Sequence, residues 1–308
     1  MPDAQGVGPS MNLKAWGETM RARHSLYLFT IPALLVIGLF FVHPIILTFD
    51  MSLTNYKGIG EAKDIGWRNY ERIFSRDRYI QEIWLTMWYT VIVVSALTVT
   101  GLFFAAMLHR LPLIRNFSRA ALYTPAMMSF VVVGYVWQFL YSPMNGGINV
   151  ALRDLGLGAW EQNWLGDPSI ALYSVAFTQI WMFTGFTCAI FLAGFAGIPE
   201  EINEAGRPEG ATSWQCFRYL ELPLLGPSIT VSVMLTTIGT LKTFELPFIL
   251  SKGGPDGATR LLSIDIIDNL FGQYKFGFAS ALSIIMLVIV LAVAFIQNKV
   301  LRDREHTS

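Results

Sequence analysis

Five stretches of this chain run for more than twenty residues without an Asp, Glu, Lys or Arg, and no feature restricts the fold more. They are Ser25–Phe49, Trp84–Leu108, Ala120–Tyr141, Ser169–Ile198 and Phe276–Gln297. A hydrocarbon layer about 30 Å thick is crossed by roughly 20 apolar residues in a helix, so each stretch predicts a membrane span. A sixth, Leu224–Leu250, is interrupted only by Lys242 and Glu245. With 53% hydrophobic and 14% charged residues and a formal net charge of zero, the 308-residue chain is too apolar for a soluble domain of its length. The expected fold is therefore all-α, a polytopic membrane protein with six transmembrane helices. It divides into an N-terminal segment (1–24), a six-helix domain (25–298) and a tail (299–308).

An even number of spans puts both termini on one side. Lys14, Arg21 and Arg23 precede the first span, Lys299, Arg302 and Arg304 follow the last, and Arg110, Arg115 and Arg119 join the second to the third. These clusters share a side, which the positive-inside tendency makes cytoplasmic. The opposite side has its own bases, Lys57, Lys63, Arg68, Arg72, Arg76 and Arg78, mixed with acids. The first apolar run is too long for the core of a cleaved leader and reads as an uncleaved anchor.

On that opposite side, Trp67, Tyr70, Ile73 and Phe74 recur at helical spacing, as an interfacial amphipathic helix or a packed surface helix would. "NGGIN", "WLGDPS" and "SKGGPDGATR" carry turn chemistry. Enzymatic motifs are missing from the sequence: there is no GxxxxGK[ST], HExxH or GxSxG, and the four histidines are scattered. Cys188 and Cys216 imply neither a disulfide framework nor a metal site.

Between the fourth and fifth spans lies the polar segment "IPEEINEAGRPEGATSWQCFRYLELPLL". Pro199 fits a first helical turn, and Glu200, Glu201 and Glu204 favour the positive end of the helix dipole. Pro208 cannot continue that helix, which is predicted to stop or kink near Gly206. Thr212 or Ser213 can then cap a second short helix carrying Trp214, Phe217 and Leu220. Two short helices at an angle make a knob whose exposed Trp214 and Phe217 ask for a partner.

The segment resembles the EAA loop of binding-protein-dependent ABC importer permeases, a pattern of EAA, three residues, G, nine residues and I-x-LP. Glu204, Ala205 and Gly206 fill the triplet, Gly210 the glycine, and Leu220, Leu222 and Pro223 the ending. Gly206, Pro208 and Glu209 depart from the family's usual alanine, apolar residue and aspartate. Further likeness to the carbohydrate branch, of maltose and glycerol-3-phosphate type, is carried by "WLGDPS", "FLAGFAGIPEEINEAG", "LPLLGPSI", "SKGGP" and "FGFASALS".

The resemblance implies a permease subunit of the inner membrane that is not itself an enzyme. A separate ATPase dimer, which binds ATP and Mg, would dock on the coupling loop (199–223) through Glu204, Ala205, Gly206, Gly210, Trp214, Phe217, Leu222 and Pro223. A second permease subunit and an extracytoplasmic solute-binding protein would complete the importer. No cofactor on this chain and no nucleic-acid partner are expected. The substrate would be a carbohydrate or polyol.

For the path itself, Lys242 and Glu245 lie three residues apart on one face of the expected fifth span, as a polar stretch, a gate or a structural pair. Lys242 could also snorkel to the interface. Tyr135, Trp137 and Gln138 in the third span, and Gln179, Trp181 and Thr184 in the fourth, offer the aromatic faces and polar partners an uncharged sugar needs; helix packing explains them equally. The rival from another class is an ATP-independent secondary transporter or channel gated by the Lys242 and Glu245 pair.

Overall fold

The computed structural model describes residues 30–110, 115–199 and 212–305, and among these the chain is helical, with one isolated antiparallel bridge between Thr54 and Asp64. Four helices are long and apolar enough to cross a membrane unbroken: α1 (Thr30–Ser52), α3 (Asp77–Arg110), α7 (Ala171–Ala196) and α12 (Phe276–Glu305). Two bent pairs, each of them a broken span or a re-entrant loop, raise the number of crossings to as many as six. In the first, Ala120–Met127, the apolar part of α4 (Arg115–Met127), meets α5 (Phe130–Leu140) at 104°. In the second, α8 (Trp214–Leu224) meets α9 (Gly226–Leu241) at 67°.

The third expected span, Ala120–Tyr141, is thus corrected to two helices. Its break falls at Ser129, whose extended backbone and hydroxyl start α5 afresh by accepting Val131 N at 3.3 Å. Leu224–Leu250 is corrected as well. Helix α9 ends at Leu241, and a separate α10 (Glu245–Ser251) begins after Lys242, Thr243 and Phe244. Pro247 explains the break: it has no N–H to give the Thr243 carbonyl, and its ring would strike that carbonyl in a continuous helix. Ser263 Oγ donates to Thr243 O instead.

The spine is the pair α3 and α7, and close approach makes it possible. A Cβ added to Gly101 would lie 2.4 Å from Thr187 Oγ1. Thr187 Oγ1 in turn donates to Leu97 O at 3.2 Å across the same seam. Small residues and hydroxyls at helix contacts are the packing device available where lipid removes the hydrophobic drive. Around this seam Tyr89, Val93, Leu97, Val175, Ala176 and Met182 are buried with Leu246 and Leu250 of α10.

Helix α1 stands apart. Its second half runs along α12, yet Leu34, Leu35, Phe40 and Phe41 are each more than 60% exposed, an apolar surface suited to lipid or another membrane chain.

The two ends of the bundle differ. At the end marked by Arg78 the connections are elaborate. Short α2 (Arg68–Phe74) buries Ile73 while Trp67 and Phe74 stay exposed. Helix α6 (Gly147–Asp154) is held by buried Asn149, which donates to Pro143 O and Gln162 O and accepts Trp164 Nε1 at 2.8 Å. Asp167 leads into α7, its carboxylate held below the ordinary range by the hydroxyl and backbone N–H of Ser169. Helix α11 (Leu262–Ile267) is clamped to α3 by charges. Arg78 bonds Glu82 at 2.8 Å and Asp265 at 2.7 Å, and Arg260 bonds Asp265 and Asp268.

Candidate functional site

Where α9 breaks, its last turns, the break itself and the walls of α3, α5 and α7 enclose a half-open cavity of about 230 Å³. Phe130, Phe183 and Phe186 supply aromatic surface; Gln179, Thr236, Thr240, Thr243, Lys242 and Glu245 supply polar groups. Non-helical backbone inside a membrane-spanning bundle is tolerated where it lines a cavity, and broken helices build binding sites in many transporters.

The polar side chains fall into two kinds. Gln179 is 4% exposed and fixed: Tyr89 Oη donates to its Oε1 at 2.7 Å and its Nε2 donates to Thr240 Oγ1 at 3.3 Å, tying α3, α7 and α9 at one point. Lys242 and Glu245 are exposed on the cavity wall. Lys242 lies in the break, just past the end of α9, and Glu245 opens α10, so the single helix face expected from the sequence does not exist. They form no ion pair with each other, and among the described residues neither side chain has a hydrogen-bond or ion-pair partner. A cation and an anion therefore face the cavity with their donors and acceptors free.

Of the other path candidates, Gln138 lies outside the lining and reaches the Ile249 and Leu250 carbonyls at 3.5 and 3.4 Å, joining α5 to α10. Trp137 is buried and stacks edge-on against Trp181 at 5.3 Å. Tyr135 is 62% exposed on the outer side of α5, and neither it nor Trp181 lines the cavity. The threonines of α9 and the three phenylalanines escaped the sequence reading. A proline five residues past Lys242 was the available signal, because it marks where backbone polar groups must open.

The second region lies at the other end of α3. Glu204, Ala205, Gly206 and Gly210 fall outside the described residues, as do Pro199's immediate successors through Ala211. From Thr212 onward the chain is defined. Thr212 Oγ1 accepts Gln215 N at 3.3 Å, and Gln215 Oε1 accepts Thr212 N at 2.7 Å, a reciprocal capping box that starts α8. Trp214 is 67% exposed and packs on Phe217 at 5.6 Å. Phe217 is not the exposed side chain expected: it is half-buried against the core of α3 and α7, with the Arg110 guanidinium 5.8 Å over its ring. Leu222 is half-buried and Pro223 exposed.

One residue missed in the sequence anchors this region. Glu221, 5% exposed, pairs with Arg110 at 3.1 Å and so locks α8 to the end of α3. A π-helical turn over Phe217–Glu221 turns Glu221 inward. The arrangement leaves Trp214 outward at one end of a short rod whose other end is pinned.

Comparison with known proteins is consistent throughout. The family described as "Binding-protein-dependent transport system inner membrane component" matches residues 97–305. The trehalose/maltose transport system permease protein MalF of Thermococcus litoralis is 32% identical over 279 residues, covering 90% of this chain and 94% of that protein. A probable ABC transporter permease protein of Pyrococcus horikoshii, PH1215, is 31% identical over 270 residues, 87% and 92% of the two chains. A chain of the crystal structure of a bacterial alginate ABC transporter in complex with an alginate pentasaccharide-bound periplasmic protein superposes with a TM-score of 0.80. It is 22% identical and covers 94% of this chain and 97% of that one, a likeness of fold.

Proposed function

The chain belongs to the binding-protein-dependent transport system inner membrane components, and from that membership we propose how it works as the permease subunit of a carbohydrate importer. It is a multi-pass membrane protein and not itself an enzyme; the ATP-independent carrier or channel weighed from the sequence is set aside by the family it belongs to. Relatives named for trehalose and maltose and for starch degradation products support a carbohydrate or polyol as the cargo.

The observation that carries the reading is the cavity at the α9 break. It combines ring faces for the apolar sides of a sugar with an amide, hydroxyls and two unpaired charges for its hydroxyl groups. At about 230 Å³ it is smaller than the ~300 Å³ lower bound of ordinary ligand sites, which suits one wall of a path completed by a second permease subunit.

The Arg110 end, with both termini, faces the cytoplasm, and the elaborated Arg78 end faces the solute-binding protein. An ATPase dimer, holding ATP and Mg, grips the loop carrying Glu204, Ala205, Gly206 and Gly210. Closure of the dimer moves α8, and the pinned contact of Glu221 with Arg110 passes that motion to α3.

Purification of the tagged chain from its native membrane in mild detergent, followed by mass spectrometry, tests the assembly. A second permease and a P-loop ATPase are expected; a lone chain or homo-oligomer moving sugar in liposomes without ATP would overturn it. In the complex, Gly210→Trp or Glu204→Lys uncouples transport while leaving the subunit inserted; full transport by both removes the docking role.

A further inference from the structure

A second pocket, remote from the α9 break, lies at the Arg78 end where α1, α3 and α12 meet, and encloses about 340 Å³. Lys57 follows α1, Arg72 and Arg76 belong to α2 and its junction with α3, and Lys275 precedes α12; all four line the pocket. None of its lining residues is acidic. Among the described residues Lys57, Arg72 and Arg76 have no ion-pair partner, and Lys275 Nζ donates only to the neutral amide oxygen of Gln273. Four cations from three separate segments therefore converge on one concavity without local neutralisation. Left so, they repel one another, and an anion relieves them.

The pocket is built, not merely exposed. Asn69 at its floor is 2% exposed and donates both amide hydrogens, to Ser52 O at 2.7 Å and Thr54 O at 2.9 Å, fixing the end of α1. Gly277 N donates to Tyr56 O at 3.0 Å, holding the start of α12 beside the Lys57 segment. Tyr79 and Phe278, 5.4 Å apart, form an aromatic wall. Within four residues in sequence of its lining, Trp67, Phe74, Phe271 and Tyr274 are each about 60% exposed, the kind of aromatic residue found at headgroup depth.

We propose that this pocket binds a phosphate group, carried by an anionic phospholipid headgroup or by a soluble phosphate. Guanidinium forks match phosphate oxygens two at a time, and ammonium groups add point charge.

The test uses the full chain with its partner subunits in nanodiscs of phosphatidylcholine, with or without phosphatidylglycerol, and reads retained lipid by native mass spectrometry. A parallel arm titrates radiolabelled inorganic phosphate. The Arg72→Gln, Arg76→Gln double variant loses bound anion by about 30-fold, taking each basic side chain near the surface as worth roughly a fivefold step. Lys299→Gln, at the other end of α12, retains it. Phosphatidylglycerol retained and lost with the arginines identifies the lipid; saturable phosphate binding lost with them, without lipid preference, identifies the soluble anion. Absence of both, or retention equal to wild type in the double variant and in Lys57→Gln, Lys275→Gln, overturns the site.

Discussion

Ser263 Oγ donates its hydrogen to the carbonyl of Thr243, the group that Pro247 leaves without a helical donor. The cavity wall thus depends on a hydroxyl from α11, which is itself clamped by charge to α3. Ser263→Ala strands a buried carbonyl, and the expected loss is about 1–3 kcal/mol. Thermal unfolding in detergent measures it; a change below about 0.5 kcal/mol would show that water or another donor serves the break.

Lys242 and Glu245 lend nothing to each other. Lys242→Gln and Glu245→Gln should therefore each leave stability within about 0.5 kcal/mol, the range of substitutions that break no contact. Uptake of neutral disaccharides by the reconstituted importer falls instead, by about tenfold for one lost polar contact to the cargo. Unaltered uptake in both variants would make the charges bystanders of the cavity.

The Arg110 to Glu221 contact makes a coupled prediction. Glu221→Ala removes the buried end of the pair, a cost of about 1 kcal/mol because Arg110 is exposed, with 38% of its side chain in solvent. More tellingly, stimulation of the partner ATPase by sugar-loaded binding protein drops while basal hydrolysis persists. Arg110→Ala combined with Glu221→Ala is expected to do little further harm, since the pair acts as one joint. Additive losses would assign the two residues separate tasks.

Gly101→Val forces a side chain into Thr187 and costs about 1–3 kcal/mol by overpacking. Thr187→Ala, added to it, restores part of that loss by making room, although it also removes the bond to Leu97 O. A double-mutant cycle in thermal unfolding reads the coupling, and independence of the two changes would mean that α3 and α7 separate more easily than their contact suggests.

Much of this architecture was open to reading in the sequence because lipid imposes a coarse rule. Charge-free length alone found α1, α3, α7 and α12. The rule failed at Ser129 and Pro247, where a cap and a missing N–H outweigh continuous hydrophobicity; an apolar stretch of sufficient length says nothing about whether one helix or two fills it. The start of α8 at Thr212 was readable because capping is local. The inward turn of Glu221 was not, since a π-helical turn shifts which side of the rod a residue takes and only packing on Arg110 selects it. Gln179 was found for its chemistry, but its bonds to Tyr89 and Thr240 join residues 90 and 61 positions away, beyond any pattern of spacing.

The 67° elbow between α8 and α9 makes the outward tryptophan the tip of a crank. From Trp214 to Leu224 the rod is about 16 Å long at 1.5 Å per residue, so a swing of roughly 10° about Leu225 carries the tip by about 3 Å. Leu225 itself is fully buried, which suits it to be the fulcrum of such a swing. In the coupling proposed above, a small displacement of the tip would then reach the bundle as rotation about a fixed point, with the capped end of α8 holding the arm against fraying.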